Sequence, residues 1–169
     1  MASPKLDLPQ IKSEIKTLLD DNNTTTSSLI DLSSGMSRRV QQVIRLNPEK
    51  IPPQPSLFPC ISIYTDRKNI ESSDIAVSQA IGKRKAEVDF KILGIVFNTD
   101  YSTDIFNDAA DEDLEELMEN VESLLRNDHN LNDSVKWQIA TDVAYHSSSI
   151  GEDAYMRIGE LTIKATVFY

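Results

Sequence analysis

Cysteine occurs once in these 169 residues, at Cys60, inside the apolar run Phe58-Pro-Cys-Ile-Ser-Ile-Tyr64. One thiol excludes an intramolecular disulfide, and Cys60 is expected to pack as a small hydrophobe. The two histidines, His129 and His146, fall in polar stretches, and no second His or Cys stands at zinc-ligand spacing. Glycine is scarce too. Gly35, Gly82, Gly94, Gly151 and Gly159 are scattered, and none belongs to a P-loop or a dinucleotide-binding turn. Proline is absent beyond Pro59, which leaves the rest of the chain able to donate every backbone N–H to a sheet or helix. No apolar run approaches the roughly 18 residues of a membrane-spanning helix, and nothing resembles a signal peptide. The expectation is a soluble protein made in a reducing compartment, with no membrane partner.

Cations are also in short supply. Lys and Arg number 17 against 27 Asp and Glu, a net charge of −10. A general nucleic-acid binder normally carries a basic footprint, so that class is disfavoured. The length of 169 residues suits a single domain, 1–169. A chain of this size can bury roughly 70% of its unfolded surface, enough for one core without staples.

The most strongly patterned stretch runs from Arg84 to Asp128. Ala86, Val88, Phe90 and Ile92 alternate with Glu87, Asp89 and Lys91, the period-2 signature of a strand with one wet face. Past Ile92 the apolar residues shift to odd positions, Leu93, Ile95 and Phe97, with Gly94 at the change. A bulge or burial on both faces explains such a shift, and burial with a local bulge is preferred. In the helix that follows, Leu114, Leu117, Met118, Val121, Leu124 and Leu125 form one apolar stripe. Asp111, Glu112, Asp113, Glu115, Glu116, Glu119 and Glu122 cover the rest; carboxylates in its first turns suit the positive end of the helix dipole. Asn127-Asp-His-Asn130 ends it. Such a stripe is core far more often than a ligand box.

Upstream, Pro9 can open a short helix whose Ile11, Ile15, Leu18 and Leu19 share a face. Residues 22–57 read as an extended polar and Pro-rich connector, within which Val40, Val43, Ile44 and Leu46 fit a short strand or a helical turn. Phe58–Tyr64 is the first clear strand. Residues 65–84 are long for a hairpin loop, where about 2–5 residues is usual, and read as a protruding loop or arm. Its stems carry Arg67, Lys68, Lys83, Arg84 and Lys85, a local basic group in an acidic chain. A solvated hairpin end and a subunit or partner contact explain this group equally well. Downstream, Val135, Trp137, Ile139, Val143 and Tyr145 are expected on one strand face, with Lys136, Gln138 and Asp142 on the other. His146–Asp153 reads as a turn. Leu161, Ile163, Ala165, Val167 and Tyr169 share a face of the last strand, and Gly159 marks a second expected bulge. The fold class expected is α+β, a mostly antiparallel or mixed sheet covered by two main helices. The expected order is helix, two strands, helix, two strands, with a long hairpin arm.

Catalytic patterns find little support. Ser147, His146 and Asp142 can be written as a triad, but no nucleophile turn accompanies them. The acidic run Asp108–Asp113 lacks the glycine and terminal glutamate of a calcium loop and leads straight into a helix. Its carboxylates are expected on the wet face, so neither an enzyme nor a cofactor or metal site is expected.

The succession "LFPCISIY", "AEVDFKILGIVF", "LEELMENVESLL" and "RIGELTIKATVFY", after an N-terminal helix, resembles the tail terminator (tail completion, minor tail protein U-like) proteins of long-tailed bacteriophages. The resemblance covers roughly residues 8–169 and rests on layout and short motifs. It implies a virion protein of the tail and neck region that assembles in the host cytoplasm into a homo-oligomeric ring, hexameric in the family. The ring caps the tail-tube protein, stops its growth and offers the surface for the neck and head-connector proteins. Phage DNA passes through the lumen without sequence-specific binding, and no cofactor is involved. Two other readings stay open: a head-side neck or head–tail joining protein, and a small α+β ligand-binding domain from outside phages.

Overall fold

In the computed structural model, residues 6–23, 29, 40–52, 54–71, 85–98, 104–149 and 155–168 are described. They form an α+β fold of two α-helices on a five-stranded mixed sheet. The elements, in chain order, are α1 (Leu8–Asp21), β1 (Gln42–Ile44), β2 (Cys60–Glu71), β3 (Lys85–Asn98), α2 (Asp104–Asn127), β4 (Trp137–Ser149) and β5 (Tyr155–Phe168). Across the sheet the order is β1-β2-β3-β5-β4, with β1 parallel to β2 and every other junction antiparallel. The short β1 lies inside the stretch expected to be a connector, and it pairs only with Cys60–Ser62.

Helix α1 starts where its chemistry favours a start. The Asp7 side chain accepts a hydrogen bond from the Gln10 N–H at 3.0 Å, and Pro9 occupies the first turn, where its missing N–H costs nothing. Ile11, Ile15 and Leu19 are buried against β1 and β2. Helix α2 begins at Asp104, earlier than the acidic run suggested. Asp111–Asp113 therefore lie well inside the helix, away from its dipole end. Leu114, Leu117, Met118, Val121 and Leu125 are buried over β3, β5 and β4, whereas Leu124 is only partly buried. Arg157 on β5 ties the helix down further by an ion pair with Asp111 and a hydrogen bond to Ser147 of β4.

Both helices cover one face of the sheet, the helix face. Beneath them lie Ile61 and Ile63 of β2, the even positions Ala86 to Ile92 and Val96 of β3, and the odd positions Leu161 to Val167 of β5. At roughly 1.5–3 kcal/mol for each large apolar side chain, this cluster dominates the stability of the fold. A second, smaller cluster lies on the opposite face at one end. There Cys60, Leu93, Ile95 and Phe97 are covered by Phe58, Leu57 and Ile51 of the preceding segment. Phe58 stacks on Phe97 with ring centroids 5.4 Å apart.

That second cluster corrects the expected bulges. The β3–β5 register runs unbroken through Gly94↔Gly159, with no irregularity at either glycine. The change of apolar phase after Ile92 arises because this end of the sheet is buried on both faces. The register shifts fall elsewhere, between Thr65 and Arg67 on β2 and between Ala140 and Asp142 on β4.

Strands β2 and β4 both run further than their hydrophobicity suggested. Thr65–Glu71, expected to be loop, continues β2 against β3, and His146–Ser149, expected to be turn, continues β4 against β5. The hairpin tip expected to form the arm, 72–84, lies outside the described residues. The β4 phase also differs from the expected one. Gln138 is buried on the helix face, while Trp137 and Ile139 point to the opposite, open face. The shift at Thr141 then returns Val143 and Tyr145 to the helix face.

Candidate functional site

The surface that stands out is the outer rim of the sheet. Among the described residues β4 pairs with β5 on one side only, along its whole length. At the opposite side β1 covers just Cys60–Ser62, so among the described residues β2 from Ile63 to Glu71 has β3 as its single neighbour. Such edges expose unpaired backbone N–H and C=O groups and are ready to accept another strand.

Large apolar side chains collect at these rims. Trp137 is 50% exposed, Ile139 51% and Phe168 48%, all three on the open face. Ile70 on β2 and Tyr145 on β4 are exposed as well. Burial, followed by the negative charges of Glu115 and Glu119, holds the Tyr145 phenol above its ordinary value.

The basic residues singled out by charge do not form one patch. Arg67 points to the open face, opposite Asp89 with Nε–Oδ2 at 3.7 Å, and Lys68 points to the helix face opposite Val88. Lys85 shares the open face with Arg67 and lies 3.2 Å from the Glu87 carboxylate. Lys83 and Arg84 lie outside the described residues. Arg67 and Lys68 thus sit on the stretch of β2 that β1 does not cover, one on each face.

Further along the open face, the Lys91 ammonium donates to Glu160 at 2.5 Å, and Tyr64 stands opposite Lys91. The hydrogen bond to Glu160 raises the Lys91 pKa; burial first, then Glu160, raises that of Tyr64. The group borders the second apolar cluster and reads as a cross-strand ion pair, worth about 1 kcal/mol or less. An open depression of about 660 Å³ lies at the α2–β4 turn, lined by His129, Asn130, Lys136 and Phe168 among others. No buried charged group converges on it.

His146 and Ser147, the written-out triad members, are exposed on β4 and point to opposite faces. Among the described residues no group of three His, Cys, Asp or Glu side chains is placed to hold a metal ion. No helix among them is long and apolar enough to cross a membrane. Sequence reasoning missed Trp137 and Ile139 as surface residues, because alternation gives the period of a strand but not which face is wet. Comparison with protein-family patterns and with curated protein sequences gave no match.

Proposed function

We propose that this chain is a structural subunit that assembles head to tail into a ring, and that the ring is the tail terminator of a long-tailed bacteriophage. The observation that carries the self-assembly is the pair of sheet rims that no described strand covers, β4 on one side and β2 beyond Ser62 on the other. Because the two rims differ, contacts between copies are heterologous, and such contacts close into a ring when the rotation between subunits permits. The tail setting is supported by the layout of helix, two strands, helix, two strands, to which β1 adds a short edge piece. In this role the β2 stem of the hairpin, with Arg67 and Lys68, faces a neighbour. The ring, hexameric, sits on the last ring of tail-tube protein, stops its growth and receives the neck, with DNA passing through the lumen. The chain then carries no active site and no cofactor.

The test is negative-stain microscopy and light scattering of the purified protein, alone and with tail tubes. Rings in solution or capping tube ends are expected; monomer only, at high concentration and on tubes, overturns the proposal. Pull-down against tail-tube and head-connector proteins separates it from a head-side neck role. Charge reversal of Lys83, Arg84 and Lys85 together is expected to impair assembly while leaving the circular dichroism spectrum unchanged.

A further inference from the structure

We propose that neighbouring copies join by setting the β4 edge of one against the β2 edge of the next, antiparallel, so that one sheet continues from subunit to subunit. This rests on the self-assembly argued above, but not on the phage setting.

Strand direction is the first support. From β2 through β3 and β5 to β4 the strands alternate in direction at every step. A rotation about an axis running along the strands preserves each strand's direction. The β4 of one copy then meets the β2 of the next in the same antiparallel relation, and the alternation passes through the junction unbroken.

Edge shape is the second. The β2 register shift follows Thr65, which pairs with Phe90. The β4 shift follows Ala140, which pairs with Ile163, itself the partner of Phe90. The two irregularities therefore flank one row of the sheet, one on each side of it, and each adds local twist within about one residue of that row. Two copies set level place the twisted part of one rim beside the twisted part of the other.

Side-chain chemistry is the third, and it matches on the open face. On the open face β4 offers Trp137, Ile139 and Asp142, and β2 offers Arg67, which is 74% exposed. A level junction puts that guanidinium beside Ile139, within reach of the Trp137 ring and the Asp142 carboxylate, where cation–π and ionic attraction both act. Strand β4 contains no Lys, Arg or Pro, the residues that commonly guard an exposed edge. Of the six large hydrophobics exposed among the described residues, four (Ile70, Trp137, Ile139 and Tyr145) lie on these two strands. Strand addition of this kind gains backbone hydrogen bonds along its length and specificity from alternate side chains.

Hydrogen exchange on the unmodified protein tests this, at concentrations where light scattering shows monomer and where it shows oligomer. Amides of Ile63–Glu71 and of Trp137–Val143, the part of β4 level with them and clear of the β1-covered end, should both slow by about tenfold or more in the oligomer. An oligomer in which either edge exchanges as in the monomer overturns the pairing and leaves self-assembly standing. A protein that stays monomeric throughout overturns both. A double variant, Arg67→Cys with Ile139→Cys, tests the level alignment under oxidation. Within one copy the two sites are separated by β3 and β5, roughly 14 Å at the usual strand spacing, beyond the ~7 Å limit for a disulfide. The double variant should give a ladder of cross-linked species and each single variant at most a dimer. Protection of both edges without a ladder supports the pairing and overturns the level alignment.

Discussion

Gly94 of β3 and Gly159 of β5 face each other across the strand junction, and the Met118 side chain of α2 lies over both. A methyl group at Gly159 would stand 2.5 Å from Met118 Cγ and 2.9 Å from its Sδ. At Gly94 it would meet Met118 Sδ at 2.7 Å and Leu117 Cδ2 at 3.0 Å. Glycine here lets the helix settle onto the sheet. The two sites differ in how far the obstacle can move, since Cγ is held close to the helix backbone while Sδ and Cδ2 are nearer the free ends.

Gly159→Ala should therefore destabilise the fold by about 1–3 kcal/mol, as overpacking usually does, and Gly94→Ala by less. The overlap outweighs the roughly 0.5–1 kcal/mol that losing a strand glycine would otherwise return. Urea denaturation under monomeric conditions measures both. Adding Met118→Ala to Gly159→Ala should recover part of the loss, although Met118→Ala alone destabilises. Wild-type stability in Gly159→Ala would show that the helix does not press on this strand.

A second prediction concerns Gln138, which is buried on the helix face and donates its side-chain amide to the backbone carbonyls of Leu125 and Asp128. These lie at the C-terminal end of α2, where carbonyls have no partner within the helix. Gln138→Leu preserves bulk but leaves the Leu125 carbonyl without a donor, while Asp128 still accepts from the Leu131 N–H, at a cost of about 1–3 kcal/mol. Gln138→Glu places a carboxylate against the same carbonyls and should cost more at pH 7 than at pH 4, where protonation restores a donor. Thermal denaturation of the two variants at the two pH values decides it. Equal losses for Glu at both pH values would mean that the amide acts only as filler.

Gln138 also marks where the sequence was and was not legible. The α2 stripe, Ile11, Ile15 and Leu19 of α1, the even positions of β3 and the odd positions of β5 all show as regular apolar periods, and all are buried. These elements are long, and each buries one face, so period and burial coincide. Strand β4 defeats that logic, because the shift at Thr141 changes its phase midway. Val135, Trp137, Ile139, Val143 and Tyr145 keep odd numbers throughout while the side facing the core changes. Strand β2 beyond Tyr64 is polar and lies on the rim, so it lacks the alternation by which strands are recognised. Charge drew attention to Arg67 and Lys68, but the opposite rim with Trp137 and Ile139 could not be found from residue type. Exposure there follows from sheet order, a long-range property.

A third prediction follows from Cys60, fully buried in the second apolar cluster, where desolvation pushes its thiol up to about 12. Thiolate is the reactive form, so at pH 8 only about one thiol in ten thousand would be ionised. The folded protein should resist alkylation by iodoacetamide at pH 8 over hours and react stoichiometrically in denaturant. Labelling of the native protein within minutes would show that this end of the sheet opens readily. Cys60→Ser should destabilise more than Cys60→Ala, since the serine hydroxyl brings an added desolvation cost.

The Lys91–Glu160 pair gives the pH-dependent prediction. Each side chain is about one-fifth exposed, 23% and 22%, so the pair is screened less than a surface contact. The hydrogen bond to Glu160 raises the Lys91 pKa in the folded protein above its unfolded value near 10.4. A raised lysine pKa means that the folded state holds its proton more tightly. The stabilisation is therefore complete below the unfolded pKa and is lost as pH rises through the folded one. Tyr64 acts in the same direction, because its ionisation at high pH would set a second negative charge near Glu160. Glu160→Gln should accordingly cost about 1 kcal/mol from pH 6 to pH 9, as a charge-assisted cross-strand pair does. Above about pH 10.4 the difference from wild type should shrink as Lys91 is deprotonated. Urea titrations of both proteins between pH 6 and pH 11 measure it. A cost as large at pH 11 as at pH 8 would mean that Glu160 stabilises the sheet by packing and not through the Lys91 charge.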